Sequence, residues 1–317
     1  MLEGASLLLA LVCAAVMGLA IQRGATCTVA AVDELLTTRR PTRLLALIEA
    51  SLWATAGVLM ARETGHLAMP PAAYAITPWT LVGAAVLGLG AFVGRACVFG
   101  AVARLGSGQW AFLATPLGFY LGCVSADAVF PMPAPRLSTT GSPVLALPGW
   151  WAWGLGIALV VRALWAWRLA WRHRRPKLAG PWSAHAATCV IGVAFVVLFV
   201  VAGPWAYSDV LAQLARRMAH DLPARAALGL ALLGGALAGG WMTGQWRRHP
   251  LDAVHVLRCA IGGVLMGWGS LLVPGGNDGI VLLGMPLLWP FAWAAFATMV
   301  LVIGATMMTV RAVGARR

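Results

Sequence analysis

A cysteine flanked by glycine and closely preceded by arginine occurs twice in this chain. The first setting is GLAIQRGATCTVAAV, Gly18 to Val32; seventy positions on comes GLGAFVGRACVFGAV, Gly88 to Val102. Aligned without a gap, Gly18, Leu19, Gly24, Cys27, Ala31 and Val32 meet Gly88, Leu89, Gly94, Cys97, Ala101 and Val102. A thiol is a weak hydrogen-bond donor and a soft, polarizable atom. A nearby arginine supplies charge for an anion, and the free amides that open a short helix attract anions too. These residue types suit brief contact with a sulfur-bearing anion, and passage through a channel needs weak sites in series. The site residues this reading selects are Cys27 and Cys97, with Gln22, Arg23 and Arg95 beside them. Arg23 and Arg95 also have a plainer explanation as cytoplasmic-side charges at the ends of membrane helices.

A fainter third copy, GWGSLLVPGGNDGIV, runs from Gly267 to Val281 and places Gly276 where the cysteine would stand. Asn277 and Asp278 follow between apolar runs, a costly position unless they face water or a partner. Gly276 and Asn277 therefore join the candidate set as pore-lining positions. Cys259, next to Arg258, is a further candidate in the segment before them. Cys13, Cys123 and Cys189 lie in apolar runs, where cysteine behaves as a small hydrophobe. No CxxC pair occurs and histidines stand far from the cysteines in sequence, so neither a metal site nor a cofactor is expected. There is no nucleotide-binding glycine loop, no HExxH and no usefully spaced carboxylate pair, so no enzymatic function is expected.

The elements that position these residues follow from composition. The chain has 317 residues, 61% hydrophobic and only 10% charged, against about 25% charged in a soluble domain. Its mean hydropathy is +0.83. The net charge of +13 does not indicate nucleic-acid binding, because the arginines flank apolar segments, as in the cytoplasmic loops of membrane proteins. Runs long enough to cross a bilayer fall at 5–22, 44–61, 79–96, 109–126, 149–167, 185–203, 224–241, 255–273 and 286–310. The expected fold is an all-α polytopic membrane protein of about nine transmembrane helices. Arginine-rich loops alternate with arginine-poor ones, placing the N-terminus in the periplasm and the C-terminus in the cytoplasm of a bacterial inner-membrane protein. Arg216 and Arg217 break this pattern on the outer side, and their segment reads as an amphipathic helix lying on the membrane surface. Glu49, inside the second apolar run, reads as half of an ion pair with a neighbouring arginine.

The cysteine segments are too apolar at their start for plain loops and too polar at their end to span. They read as re-entrant helices, whose irregular backbone must be buried in protein or face water. The repeat divides the chain into an N-terminal membrane half, 1–167, with both cysteine segments; a basic cytoplasmic linker, 168–184; and a C-terminal half, 185–317, with the PGGND segment.

Three features carry a resemblance: MGLAIQRGATC, GRACVFGAV and the late GGVLMGWGSLLVPGGNDG. In that order on a nine-helix chain they resemble the YeeE/YedE-like sulfur-transport family of bacterial inner-membrane proteins. The resemblance implies uptake of thiosulfate or a related small anion past cysteines on short re-entrant helices. It also implies a small cytoplasmic sulfur-carrier protein as a partner. Carried onto this chain, the first two thiols are Cys27 and Cys97. Where the family has a Gly-Gly-Cys group this chain has Pro274, Gly275, Gly276 and Asn277, so Gly276 stands where the third thiol belongs, which keeps a different anion or a selenium compound open as cargo. The alternative to transport is a membrane subunit that presents the two thiols for redox sensing or sulfur transfer.

Overall fold

A computed structural model describes residues 4–67, 73–129, 136–138, 141–172, 180–216, 222–247 and 249–314. Most of the basic linker, including Arg174, Arg175 and Lys177, lies outside the described residues, as do Arg217, Arg248, Arg316 and Arg317.

Thirteen helices follow one another among the described residues: α1 Gly4–Gly24, α2 Thr28–Thr38, α3 Thr42–Glu63, α4 Pro78–Val93, α5 Val98–Gly106, α6 Ala114–Val129, α7 Trp150–Arg172, α8 Ala184–Ala202, α9 Tyr207–Ala215, α10 Leu222–Met242, α11 Ala253–Leu272, α12 Asn277–Gly279 and α13 Pro290–Gly314. A wider π turn, Ile280–Gly284, continues α12. The only extended pairing among the described residues is an antiparallel bridge between Tyr74 and Leu137. It ties together the loops after α3 and α6.

Eight of these segments are long and apolar enough to cross a membrane. The ninth expected crossing is α7, whose apolar part is the shorter run Trp150–Trp165. Apolar side chains point outward on several helices: Leu230 and Leu301 are each 71% exposed, and Trp150, Trp153, Ile157 and Trp165 line one face of α7. Water would not tolerate so much continuous apolar surface. The chain is a multi-pass membrane protein.

Helix starts are written locally. The Thr77 hydroxyl accepts from Thr80 N and the Thr80 hydroxyl from Thr77 N, closing a capping box with Pro78 in the first turn of α4. Such caps satisfy amides that would otherwise have no partner. Close helix approach is written in glycines. A β-carbon at Gly18 of α1 would sit 1.8 Å from Leu232 O of α10, and one at Gly235 would sit 1.8 Å from Ala15 O. Lipid supplies no hydrophobic drive between helices, so backbone proximity at small residues carries much of the packing.

The same contacts give the helix directions. Positions 15 and 19 face 235 and 239, so α1 and α10 run parallel; positions 118 and 122 face 260 and 264, so α6 and α11 do as well. Positions 83 and 94 face 269 and 262, so α4 and α11 are antiparallel. The end where α1 begins is called the starting end, and the opposite end the far end.

A pattern of long helix, short helix and long helix then appears four times, with α2, α5, α9 and α12 as the short members. The α5 helix finishes at the far end, where Gly106 packs on Ala236 and Gly240, and Arg247 N donates to Ser107 O. The α9 helix finishes at the starting end, with Gln213 near Arg225 at the start of α10. It is no surface helix: Ser208 and Val210 are buried, and it packs against α6, α10 and α12. The turn that precedes it, Gly203 to Ala206, feeds it into the bundle instead of along the membrane face.

Candidate functional site

Cys27 and Cys97 each occupy the residue just before a short helix, in extended conformation. Gly276 holds the same place before α12, and Ala206 before α9. Ahead of the two cysteines the chain must reverse sharply, and Ala25 and Arg95 take left-handed backbone angles, φ +46° and +56°. Such angles are uncommon for residues with a side chain. Here they turn the backbone so that both thiols face the same interior point.

The two sulfurs lie 3.7 Å apart. Thr28 N donates to Cys97 Sγ at 3.2 Å, and Thr28 Oγ1 donates to Asn277 Oδ1 at 3.3 Å. On the other side of Asn277, Ser208 N donates to Asp278 Oδ2 at 3.0 Å, and the Ser208 hydroxyl donates to Asp278 Oδ1. Thus the N-terminal ends of four helices meet, α2 and α5 from the far end, α9 and α12 from the starting end. Three are long enough to carry a dipole, at 11, 9 and 9 residues for α2, α5 and α9. Each such end presents roughly half a positive charge and free amides. The Asp278 carboxylate takes one of those ends, at α9.

The junction is closed. Cys97 and Asn277 are fully buried, and Cys27 and Asp278 nearly so. Gly100 leaves room for the first thiol, since a β-carbon there would be 2.4 Å from Cys27 Sγ. Asn277 Nδ2 is buried with no hydrogen-bond partner. A buried donor left unpaired is expensive, and this one belongs to the side chain that accepts from Thr28, the residue after Cys27.

A cavity opens toward each end of the bundle. At the starting end a cavity of about 430 Å³ is lined by Asp209, Arg216, Arg225, Gly275, Gly279 and Trp289, among others. At the far end a cavity of about 290 Å³ includes Arg95, Trp110, His249, His255 and Arg258 in its wall. The buried junction separates them.

A family model described as sulphur transport matches residues 23–306 of the chain. The chain belongs to the sulphur transport family. The matched region takes in all four short helices and both cavities. No curated protein matches the chain.

Within this family member the candidate residues divide into groups. Cys27, Cys97 and Asn277 come together, and Gly276 adjoins them. Gln22 and Arg23 belong elsewhere: Gln22 Nε2 donates to Ser107 Oγ and Gln245 Oε1, while the Arg23 guanidinium lies 5.2 Å from the Trp182 ring and 3.8 Å from Met242 Sδ. Both fasten the far end of α1 to its neighbours. Arg95 is exposed in the far cavity. Cys259 Sγ lies 4.0 Å from Gly94 O and from His255 Nε2, behind that cavity.

Ser208 was not foreseen. Its hydroxyl oxygen lies 2.0 Å from where a β-carbon at Gly276 would be, so it fills the space in which a side chain at position 276 would begin. The signal was present in GPWAYSDV, Gly203 to Val210: a Gly-Pro break followed by a serine and an acid between apolar runs. It shares no cysteine with the other segments and so escapes alignment.

Proposed function

We propose that this chain imports thiosulfate, or a closely related small sulfur oxyanion, through the junction of its four short helices. The observation that carries the reading is the contact of Cys27 and Cys97 at 3.7 Å, at a point where helix N-termini converge. Helix amides and dipoles favour the anion's charge there, and each S–H donates weakly to the anion's sulfur or oxygen. Weak, serial contacts allow release as well as capture. The unpaired Asn277 amide supplies a further donor beside the thiols. In this proposal α2, α5, α9 and α12 are re-entrant, the first two from the cytoplasm and the last two from the periplasm. The starting end is then periplasmic and the far end, with Arg39, Arg40, Arg43, Arg247 and Arg311, cytoplasmic, in a bacterial inner membrane. The pseudo-repeats meet at mid-membrane, as transporter repeats do. A small sulfur-carrier protein is proposed to collect the cargo at the cytoplasmic face.

A redox sensor built on the same thiols needs one of them exposed. Cys97 is 0% and Cys27 only 6% exposed, which favours transport.

The test is growth on thiosulfate as sole sulfur source in a bacterium lacking its own thiosulfate uptake. The parent chain is expected to restore growth, and well-expressed Cys27→Ala and Cys97→Ala forms to lose it. Growth of the variants equal to the parent would remove the thiol path. A parent that is expressed but gives no growth would remove thiosulfate as the cargo.

A further inference from the structure

We propose that the far-end cavity is a second anion site, which receives a small tetrahedral sulfur oxyanion after it has passed the thiols. The identity of the ligand rests on the transport reading above; the site itself rests on its walls. The cavity, of about 290 Å³, is lined by Arg95, Arg258, His249 and His255 as its basic groups. Among the described residues neither Arg95 nor Arg258 has a carboxylate within ion-pairing distance. Asp252 is the one acid in the wall, and its carboxylate is already engaged: it caps α11, accepting from Val254 N at 3.3 Å and His255 N at 3.2 Å. Among the described residues of the wall two guanidinium groups stand against one acid, which leaves a net positive charge around a cavity large enough for a small anion. Guanidinium is the side chain best shaped to grip two oxygens of an oxyanion at once.

The wall is held in place. The His255 ring meets Phe112 edge to face at 5.1 Å, and Phe112 in turn carries Arg104 over its ring at 5.2 Å. Trp110, which also lines the cavity, is braced edge to face by Trp246 at 5.7 Å. Arg95 is fixed by its backbone: it occupies the left-handed turn, φ +56°, two residues before Cys97. The turn that precedes Cys97 therefore also carries an arginine of the cavity wall. Cys259 Sγ, 4.0 Å from both Gly94 O and His255 Nε2, packs behind this wall. An anion leaving Cys97 toward the far end meets Arg95 first and Arg258 beside it. The site holds the anion outside the junction, where an acceptor in solution can reach it.

The experiment is binding of radiolabelled thiosulfate to the full chain in nanodiscs of neutral phosphatidylcholine, by equilibrium dialysis. Three double variants are compared with the parent: Arg95→Gln/Arg258→Gln, Arg95→Lys/Arg258→Lys, and Arg216→Gln/Arg225→Gln at the opposite cavity. Each is first checked for monodispersity by size-exclusion chromatography. The expected result is that the first variant loses one bound equivalent or weakens it at least tenfold. The lysine variant should retain much of that binding, and the third variant should leave that equivalent intact. Unchanged stoichiometry and affinity in Arg95→Gln/Arg258→Gln would overturn the proposal. So would abolition of the same equivalent by anionic lipid in the discs, which would assign the cavity to a lipid phosphate. Binding unchanged in Arg95→Gln/Arg258→Gln while the parent chain supports growth on thiosulfate would sink this site alone. Growth absent while binding persists would sink the transport reading alone.

Discussion

At the level of single residues, positions 208 and 276 compete for one volume. Gly276 has φ −78° and ψ −177°, angles that any residue adopts, so the backbone is no obstacle to a side chain there. Space is the obstacle, because a β-carbon would meet Ser208 Oγ at 2.0 Å and Ser208 Cβ at 2.5 Å. Where the resemblance would put a third thiol, this chain has a hydroxyl from another helix, anchored to Asp278. Gly276→Cys alone is therefore expected to destabilise the protein by about 1–3 kcal/mol, the usual cost of overpacking. Gly276→Cys combined with Ser208→Gly should recover most of that loss, because the second change clears both clashing atoms. Thermal unfolding of the two variants in detergent reads the difference, and equal melting temperatures would contradict the shared volume. The pairing of Cys27 with Cys97 was legible because the same letters fold into the same turn and helix start twice. The Ser208–Asp278 contact was not, because it joins two segments that share no motif and meet only through packing.

The elements show where sequence patterning suffices and where it fails. All nine apolar runs became helices, since length and hydropathy dictate helix when lipid cannot satisfy a free backbone. The short helix α9 was misjudged as a surface element. Its apolar residues suit burial in protein as well as burial in lipid headgroups, and only the preceding Gly203–Ala206 turn decides between them. Helix α7 gives the opposite lesson. Among the helices it packs mainly on α3 and exposes much of its surface, so a polar clasp has disproportionate weight. Glu49 Oε2 accepts from Arg162 Nη2 at 2.7 Å, and His185 Nδ1 meets the same oxygen. The expected partnership of Glu49 with an arginine is thus present, though the arginine is more than a hundred positions away on α7, beyond the reach of sequence spacing. Glu49→Ala would leave Arg162 and His185 facing each other at 3.3 Å without the shared acceptor. The loss expected is about 1–3 kcal/mol, that of a polar group stripped of its buried partner. A melting temperature unchanged from the parent would show that α7 is held by its apolar contacts alone.

Taken whole, the molecule is two cavities of opposite aspect separated by a sealed junction of helix starts. The starting-end cavity contains Arg216 and Arg225, on the side where the distribution of charge elsewhere in the chain predicts few basic residues. Among the described residues Arg216 has one carboxylate partner, Asp127, 3.4 Å away and itself 70% exposed, and Arg225 touches Gln213 at 3.5 Å. Exposed pairs of this kind contribute little to stability, so fold maintenance does not account for both arginines. On the proposed transport reading, a cleft lined by positive charge concentrates anions before any specific contact forms. Arg216→Gln/Arg225→Gln is therefore expected to raise the half-saturating concentration of external thiosulfate on the order of threefold to tenfold. The maximal uptake rate should change little, because the junction with Cys27 and Cys97 is untouched. The difference should shrink as ionic strength rises, since screening already weakens the parent's field over about 8–10 Å at physiological salt. Uptake assays in whole cells across substrate and salt concentrations separate these effects. A lowered maximal rate with unchanged half-saturation would place the two arginines in the translocation step itself, and would move the narrowest barrier from the thiol junction to the mouth of the cavity.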